Sequence, residues 1–229
     1  MKPVLALLLL VAAQPKFSTG ALLYQDDFSH GLERWAAELE KHGRVEAKDH
    51  KLTIDIPAGL TLWFKPRLDG PVMIQYEAKM IQASGANDRV SDLNCFWMAS
   101  DSRSPGDLFA TKRSGKFSDY DQLLTYYVGL GGNSNTTTRF RRYIGKQELR
   151  PLLPEHDLHD SKFLLRPNVG QKIQLVACGN HIQYYRDGNL LFDLNDPSPY
   201  TRGHFAFRTT SSHMEVRNFR VYRITNCSD

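Results

Sequence analysis

Between residues 172 and 192 the chain reads Lys172 to Ala177, Gly179-Asn180, His181 to Arg186, Asp187-Gly188 and Leu190 to Phe192. Short runs of β-branched and aromatic residues separated by two-residue Gly-Asn and Asp-Gly steps predict antiparallel strands joined by tight turns. Such strands bury one face only against a second layer. Gly203 to Thr209 and Met214 to Ile224 continue the pattern to the end of the chain.

The same period of two recurs upstream. Arg44 to Ala47 and Lys51 to Ile56 alternate apolar with polar residues, with Asp49-His50 as a turn and Pro57-Ala58-Gly59 closing the hairpin. Leu60 to Lys65, Val72 to Met80 and Leu93 to Ser100 predict further strands, and no long amphipathic helix is present. The fold class that follows is all-β, an antiparallel β-sandwich. At 229 residues, 41% of them hydrophobic, the chain suffices for one such domain. Asp101 to Asp121 breaks the pattern with Gly, Ser, Pro and charge, and long loops of this kind carry function more often than the strands they cross.

The N-terminus predicts export. Lys2, the apolar run Val4 to Ala13 and the small residues Val11-Ala12-Ala13 have the form of a secretory signal, with cleavage near Ala13 or alternatively Ala21. The run is too short to span a bilayer. A single domain over residues 22–229, secreted or periplasmic and monomeric or a small homo-oligomer, is the resulting expectation. Of the three cysteines, at most two pair within the chain; Cys95 and Cys178 lie in strand-like runs and read as small buried hydrophobes. The net charge of +4 is scattered rather than blocked, which gives no prompt for nucleic acid and suits an acidic polysaccharide or oligosaccharide equally well.

Asp26-Asp27-Phe28 followed by Trp35 resembles the entry strand of concanavalin-like jelly rolls, and the Gly203 to Thr209 and Asn218 to Tyr222 strands resemble their C-terminal half. Asp88 to Ala99, Tyr126 to Tyr143, Arg150 to Asp157 and Tyr184 to Gly188 resemble a family of uncharacterised secreted bacterial domains associated with polysaccharide degradation. That resemblance implies carbohydrate work and supplies no catalytic residues.

Retaining glucanases on this sandwich carry a Glu-x-Asp-x-x-Glu strand whose carboxylates act as nucleophile and acid/base. The chain has no such strand. Its polar residues instead suit β-elimination from a uronic acid, which needs a cation on the sugar carboxylate, a base for the α-proton and an acid for the leaving oxygen. On a strand over 139–143, alternation places Arg139, Arg141 and Tyr143 on one face with Phe140 and Arg142 on the other. Tyr127 and Asn94 join them from neighbouring strands, Asn94 sharing a face with Asp92 and Phe96.

The candidate catalytic residues are therefore His156 as base, with Tyr143, Tyr127 and Arg141. The candidate substrate-binding residues are Arg139, Asn94, Asn135, Trp97 and His204. For Trp97, as for Trp63, an anchoring role in the core competes with stacking on a sugar. Asn135-Thr136-Thr137 and Asn226-Cys227-Ser228 match the glycosylation acceptor pattern, but Asn133 and Asn135 are read as loop or ligand groups. Cysteine and histidine spacing suggests no zinc. No cofactor is required; a structural calcium at Asp26-Asp27 or Asp193–Asp196 is an open expectation from similar sandwiches. A glycoside hydrolase using Glu155, Asp157 or Asp92, and a non-catalytic carbohydrate-binding module, stand as alternatives. Intact-mass measurement on exported protein is expected to show the chain shortened at Ala13; an uncut N-terminus would refute the leader.

Overall fold

The computed structural model describes residues 17–227, so most of the predicted leader lies outside the described residues. In chain order the strands are β1 (Phe17–Asp26), β2 (Trp35–Leu39), β3 (Arg44–Lys48), β4 (Lys51–Ile56), β5 (Leu60–Asp69), β6 (Val72–Met80), β7 (Asn94–Asp101) and β8 (Leu123–Gly131). There follow β9 (Thr137–Ile144), β10 (Asp157–Leu158), β11 (Gln171–Cys178), β12 (His181–Arg186), β13 (Asn189–Asn195), β14 (Arg202–Thr209) and β15 (Ser212–Cys227).

They form two antiparallel sheets. One runs β13-β12-β11-β6-β15-β4-β3, with β1 also paired to β15; the other runs β10-β9-β8-β7-β14-β5-β2. The β-sandwich expected from the alternation is the observed architecture. Among the described residues no helix is long and apolar enough to cross a membrane.

The turns are built as their sequences dictate. Asp187 and Gly188 both have positive φ, as do Asp49 and His50, the geometry whose twist matches the flanking strands. Between the sheets, Trp35 packs on Phe28, Phe64, Phe207 and Phe219, and Tyr76 packs on Phe205 and Phe207. At the other end Trp97, Tyr126, Phe140 and Phe192 form a second aromatic group. Burying each of these rings contributes about 2–3 kcal/mol. Trp97 is thus a core residue and not a sugar platform, and its position follows from the period of two: with Asn94 and Phe96 on the outer face, Cys95 and Trp97 must point inward.

One further expectation is corrected. Cys178 is not a free hydrophobe but pairs with Cys227, joining the end of β11 to the end of β15, while Cys95 remains a buried thiol. Phe17 is in register with Cys227 and its ring meets Tyr185, so cleavage at Ala21 would remove half of β1, whereas cleavage at Ala13 leaves it whole.

The disulfide closes a loop with a sequence separation of 49. A Cys178→Ser/Cys227→Ser variant is expected to lose about 2–4 kcal/mol in urea unfolding, chiefly by releasing the unfolded chain.

Candidate functional site

The outer face of the seven-stranded sheet carries a row of residues in register across the strands. Arg141 of β9 lies opposite Tyr127 of β8, Tyr127 opposite Phe96 of β7, Phe96 opposite Ala206 of β14, and Ala206 opposite Trp63 of β5. The row changes character halfway. From Phe96 onward it is apolar and dry; at Tyr127 and Arg141 it floors an open groove of about 750 Å³.

The segment from Arg103 to Tyr120 makes the difference. Tyr120 stacks on Phe96 at 5.6 Å between centroids, and Phe96 on Trp63 at 5.9 Å. The loop is clamped by charge. Arg113 donates to Asp101 (Nη1 to Oδ2, 2.9 Å) and to Glu38 (Nη2 to Oε1, 2.9 Å), and the side chains of Arg113 and Asp101 are wholly buried. Glu38 Oε2 also accepts from Trp63 Nε1 at 2.9 Å and from the Tyr120 hydroxyl at 2.8 Å. Gly115 gives its carbonyl oxygen to Arg208 Nη1 at 2.6 Å, and a Cβ on it would meet the backbone nitrogen of Glu40 at 2.4 Å, so only glycine permits this approach.

The groove has two long walls. One comprises Arg89, Asp92, Asn133, Ser134 and Thr210; the other comprises Asp121, Gln147, Glu148 and Arg150, with Phe117 and Ser118 at the end. The crossing between β8 and β9 adopts its shape through positive φ at Gly131, Asn133, Ser134 and Asn135, which places Asn133 and Ser134 on the rim.

Most charges in the groove are matched. Arg89 Nη1 binds Asp92 Oδ2 at 2.8 Å; Arg150 Nε binds Asp121 Oδ1 at 2.5 Å; Arg139 forks onto both oxygens of Asp157 at 2.7 and 3.0 Å. Asp121 Oδ2 accepts in addition from Gln147 Nε2 and the Glu148 backbone N–H. Arg141 differs: its Nη1 donates to the backbone carbonyl of Arg150, and among the described residues no carboxylate pairs with it. Burial and the neighbouring charges of Arg139 and Arg150 lower its pKa, the mark of an uncompensated cation.

The sequence-derived residues are distributed as follows. Arg139, Arg141 and Tyr127 line the groove together. Tyr127 is 6% exposed and leans over Gly129, where a Cβ would meet its hydroxyl at 3.1 Å; burial raises its phenol well above the usual tyrosine value. Tyr143 shares this face, yet it is sealed beneath Arg150, Tyr127 and Phe96, and its hydroxyl has no partner. It supports the floor without reaching a ligand. Asn94 is likewise buried below the groove, donating to Asp92 Oδ1 at 3.3 Å.

Four others lie elsewhere. His156 is packed edge-on against Phe140 and Phe192 at the margin of the inter-sheet core, on the opposite face of β9 from Arg141, and burial lowers its pKa. His204 sits under Phe109 of the covering loop, with Nδ1 3.3 Å from the Phe64 carbonyl. Asn135 braces the backbone of Leu165 through both its amide atoms. Trp97 is in the core, as above.

Reasoning from strands missed Arg150, Phe117 and Glu148, which loops deliver. Arg89 and Arg150 fall within the family-like stretches, which was their only signal. Among the described residues no cluster of three or more His, Cys, Asp or Glu forms a metal site. Asp26 is engaged by Trp35 Nε1 and Phe28 N–H, and Asp196 by Arg142 and the Tyr126 hydroxyl.

The two antiparallel sheets form a sandwich with a galectin-like, jelly-roll fold. Structures similar to it include a protein of unknown function with a galectin-like fold from Bacillus subtilis (TM-score 0.70, 16% identity, covering 92% of this chain and 99% of the other). The carbohydrate-binding module CBM66 from Bacillus subtilis (TM-score 0.55, 10% identity, 83% and 96%) and β-agarase B from Zobellia galactanivorans (TM-score 0.57, 11% identity, 94% and 97%) share the architecture. No curated protein matches the sequence. Residues 54–219 match the model of a domain of unknown function, DUF6250, and the chain belongs to that family.

Asp101 gives the covering loop a pH signature. Burial opposes its ionisation, but hydrogen bonds from the Arg103 side chain and backbone and the charges of Arg103 and Arg113 outweigh it, holding its pKa below the ordinary carboxylate value. The stabilisation is therefore complete above about pH 4 and is lost as pH falls through the folded-state value. An Asp101→Asn variant is expected to be about 3 kcal/mol less stable at pH 7 in urea unfolding, the cost of leaving Arg113 half-paired. That gap should narrow as the pH drops below about 4.

Proposed function

We propose that the groove binds an acidic saccharide through Arg141 and that the protein, exported to an oxidising compartment, cleaves a uronic-acid-containing glycan by β-elimination. The observation that carries this reading is Arg141 itself, a half-buried guanidinium on the groove floor with no carboxylate partner among the described residues. A sugar carboxylate would supply the missing charge with fork geometry suited to arginine. The Cys178–Cys227 bond supports an extracytoplasmic setting. The carbohydrate-binding module and the agarase lend analogy through architecture alone.

Elimination fits these residues better than double-displacement hydrolysis. Asp92, Asp121 and Asp157 are each held by an arginine, and Glu155 lies outside the groove, which leaves no pair of free carboxylates for a nucleophile and an acid. In the proposed reaction Arg141 neutralises the uronate carboxylate and so acidifies the α C–H bond. The base comes from the groove wall, where Glu148 is exposed and has no arginine partner among the described residues. The C–H electron pair becomes the new C=C bond as the adjacent C–O bond breaks. Tyr127, on the groove floor, is the acid that passes its phenolic proton to the departing oxygen.

A second reading, a non-catalytic carbohydrate-binding module, is favoured by the tight hold on the Tyr127 proton together with the absence of histidine from the groove lining.

Incubation of the protein with polygalacturonate, alginate and glucuronan is expected to generate the ultraviolet absorbance of an unsaturated uronate from one of them. Arg141→Ala should abolish it, and Tyr127→Phe or Glu148→Gln should slow it by about 10²–10⁴-fold. Reducing ends without absorbance would select hydrolysis, and retention on an affinity gel without product would select the binding module.

A further inference from the structure

The groove has a built end. Its floor follows the cross-strand row from Arg141 to Tyr127, and the next member, Phe96, is fully buried beneath Tyr120. At that boundary Phe117 stands as a partition: its ring meets Tyr127 at 5.6 Å, and the guanidinium groups of Arg150 and Arg208 lie over it at 4.3 and 5.3 Å. A ligand running along the row from β9 toward β5 meets aromatic rings where an uncovered sheet would let it continue.

The partition is not a loose flap. Behind it lie the buried Arg113–Asp101–Glu38 network and the close backbone approach at Gly115, and Arg208, 1% exposed, binds the Gly115 carbonyl. Opening it would strand buried charges, at a cost that binding a few sugar rings would not recover. Arg89, Asp92 and Thr210 flank the floor on one side and Asp121, Glu148 and Arg150 on the other. The open floor spans β8 and β9, about 5–10 Å at the usual strand spacing. That is a length of one or two sugar rings.

We infer that the groove is blind at Phe117 and receives the end of a saccharide chain, with the polymer leaving past β9 toward the β10 edge of the sheet. This rests on the reading of the groove as a saccharide site and adds to it a mode of recognition: the terminal residues are selected, and internal segments are excluded. An acidic terminal sugar would seat its carboxylate on Arg141, and its terminal hydroxyls would face Phe117 and Ser118.

The test compares polygalacturonate, alginate, glucuronan and neutral laminarin, each as polymer and as a short oligomer, by calorimetric titration of the full chain with concentrations counted per saccharide chain. One protein should bind per chain, and per-chain affinity should agree within about twofold between an oligomer and a polymer about ten times longer. Several proteins per polymer chain, or per-chain affinity that rises in proportion to length, would overturn the inference and leave the site reading intact. Borohydride reduction of the reducing terminus removes binding if that terminus is held and spares it if the opposite terminus is held; either result supports end recognition when the stoichiometry is one. Unchanged affinity of Arg141→Ala for the bound acidic glycan would overturn the groove as the site, and failure of all four glycans to bind would overturn both claims.

Discussion

The outer face of the seven-stranded sheet depends on one buried cation. The Arg113 side chain has no solvent exposure, and it is tolerable there because Asp101 and Glu38 share its charge while Trp63 and Tyr120 lie against its plane. Removing a charge from water is costly unless every donor finds an acceptor, and here the Leu108 carbonyl takes a further donor. That arrangement fixes where the 103–120 loop can lie. The loop in turn decides how much of the aromatic row is core and how much is binding surface. Phe96 and Tyr127 are neighbours in register with similar rings, yet one is sealed and the other floors a cavity.

The groove left uncovered is charge-rich, but among its arginines only Arg141 lacks a carboxylate partner among the described residues. Three arginines on its walls and floor arrive with their own carboxylates, so they shape the site and screen it rather than attract anions. Arg141 is held in place by a neutral carbonyl instead. Because Arg150 supplies that carbonyl while its own side chain spans Asp121 and Phe117, the cation, the wall and the partition are tied through one residue.

The sandwich was legible in the sequence because period-two patterning and two-residue turns are local signals that burial reinforces. The groove was legible in part for the same reason: alternation is sufficient to put Arg139, Arg141 and Tyr127 on one face. It failed where a second layer covers that face. Tyr143 has the correct parity and is nonetheless buried, because nothing in strand periodicity says which residues a distant loop will cover. His156 failed differently. Its flanking carboxylates suggested a tuned base, but Asp157 turns to Arg139 while the imidazole turns to Phe140 and Phe192. Trp97 was decidable from parity with Asn94, since both cannot reach the same face. Arg150 and Phe117 lie in irregular segments whose placement depends on partners far along the chain, and composition carries no trace of that.

The sealed thiol of Cys95 has a consequence for how the chain acquires its covalent form. In the folded protein this sulfur lies between the sheets and burial pushes its pKa up to about 12, so it holds no thiolate with which to attack another sulfur. In an unfolded chain the same cysteine competes with Cys178 and Cys227 for a partner. Closing the core around β7 withdraws Cys95 from that competition, so noncovalent packing favours the Cys178–Cys227 linkage over the alternatives.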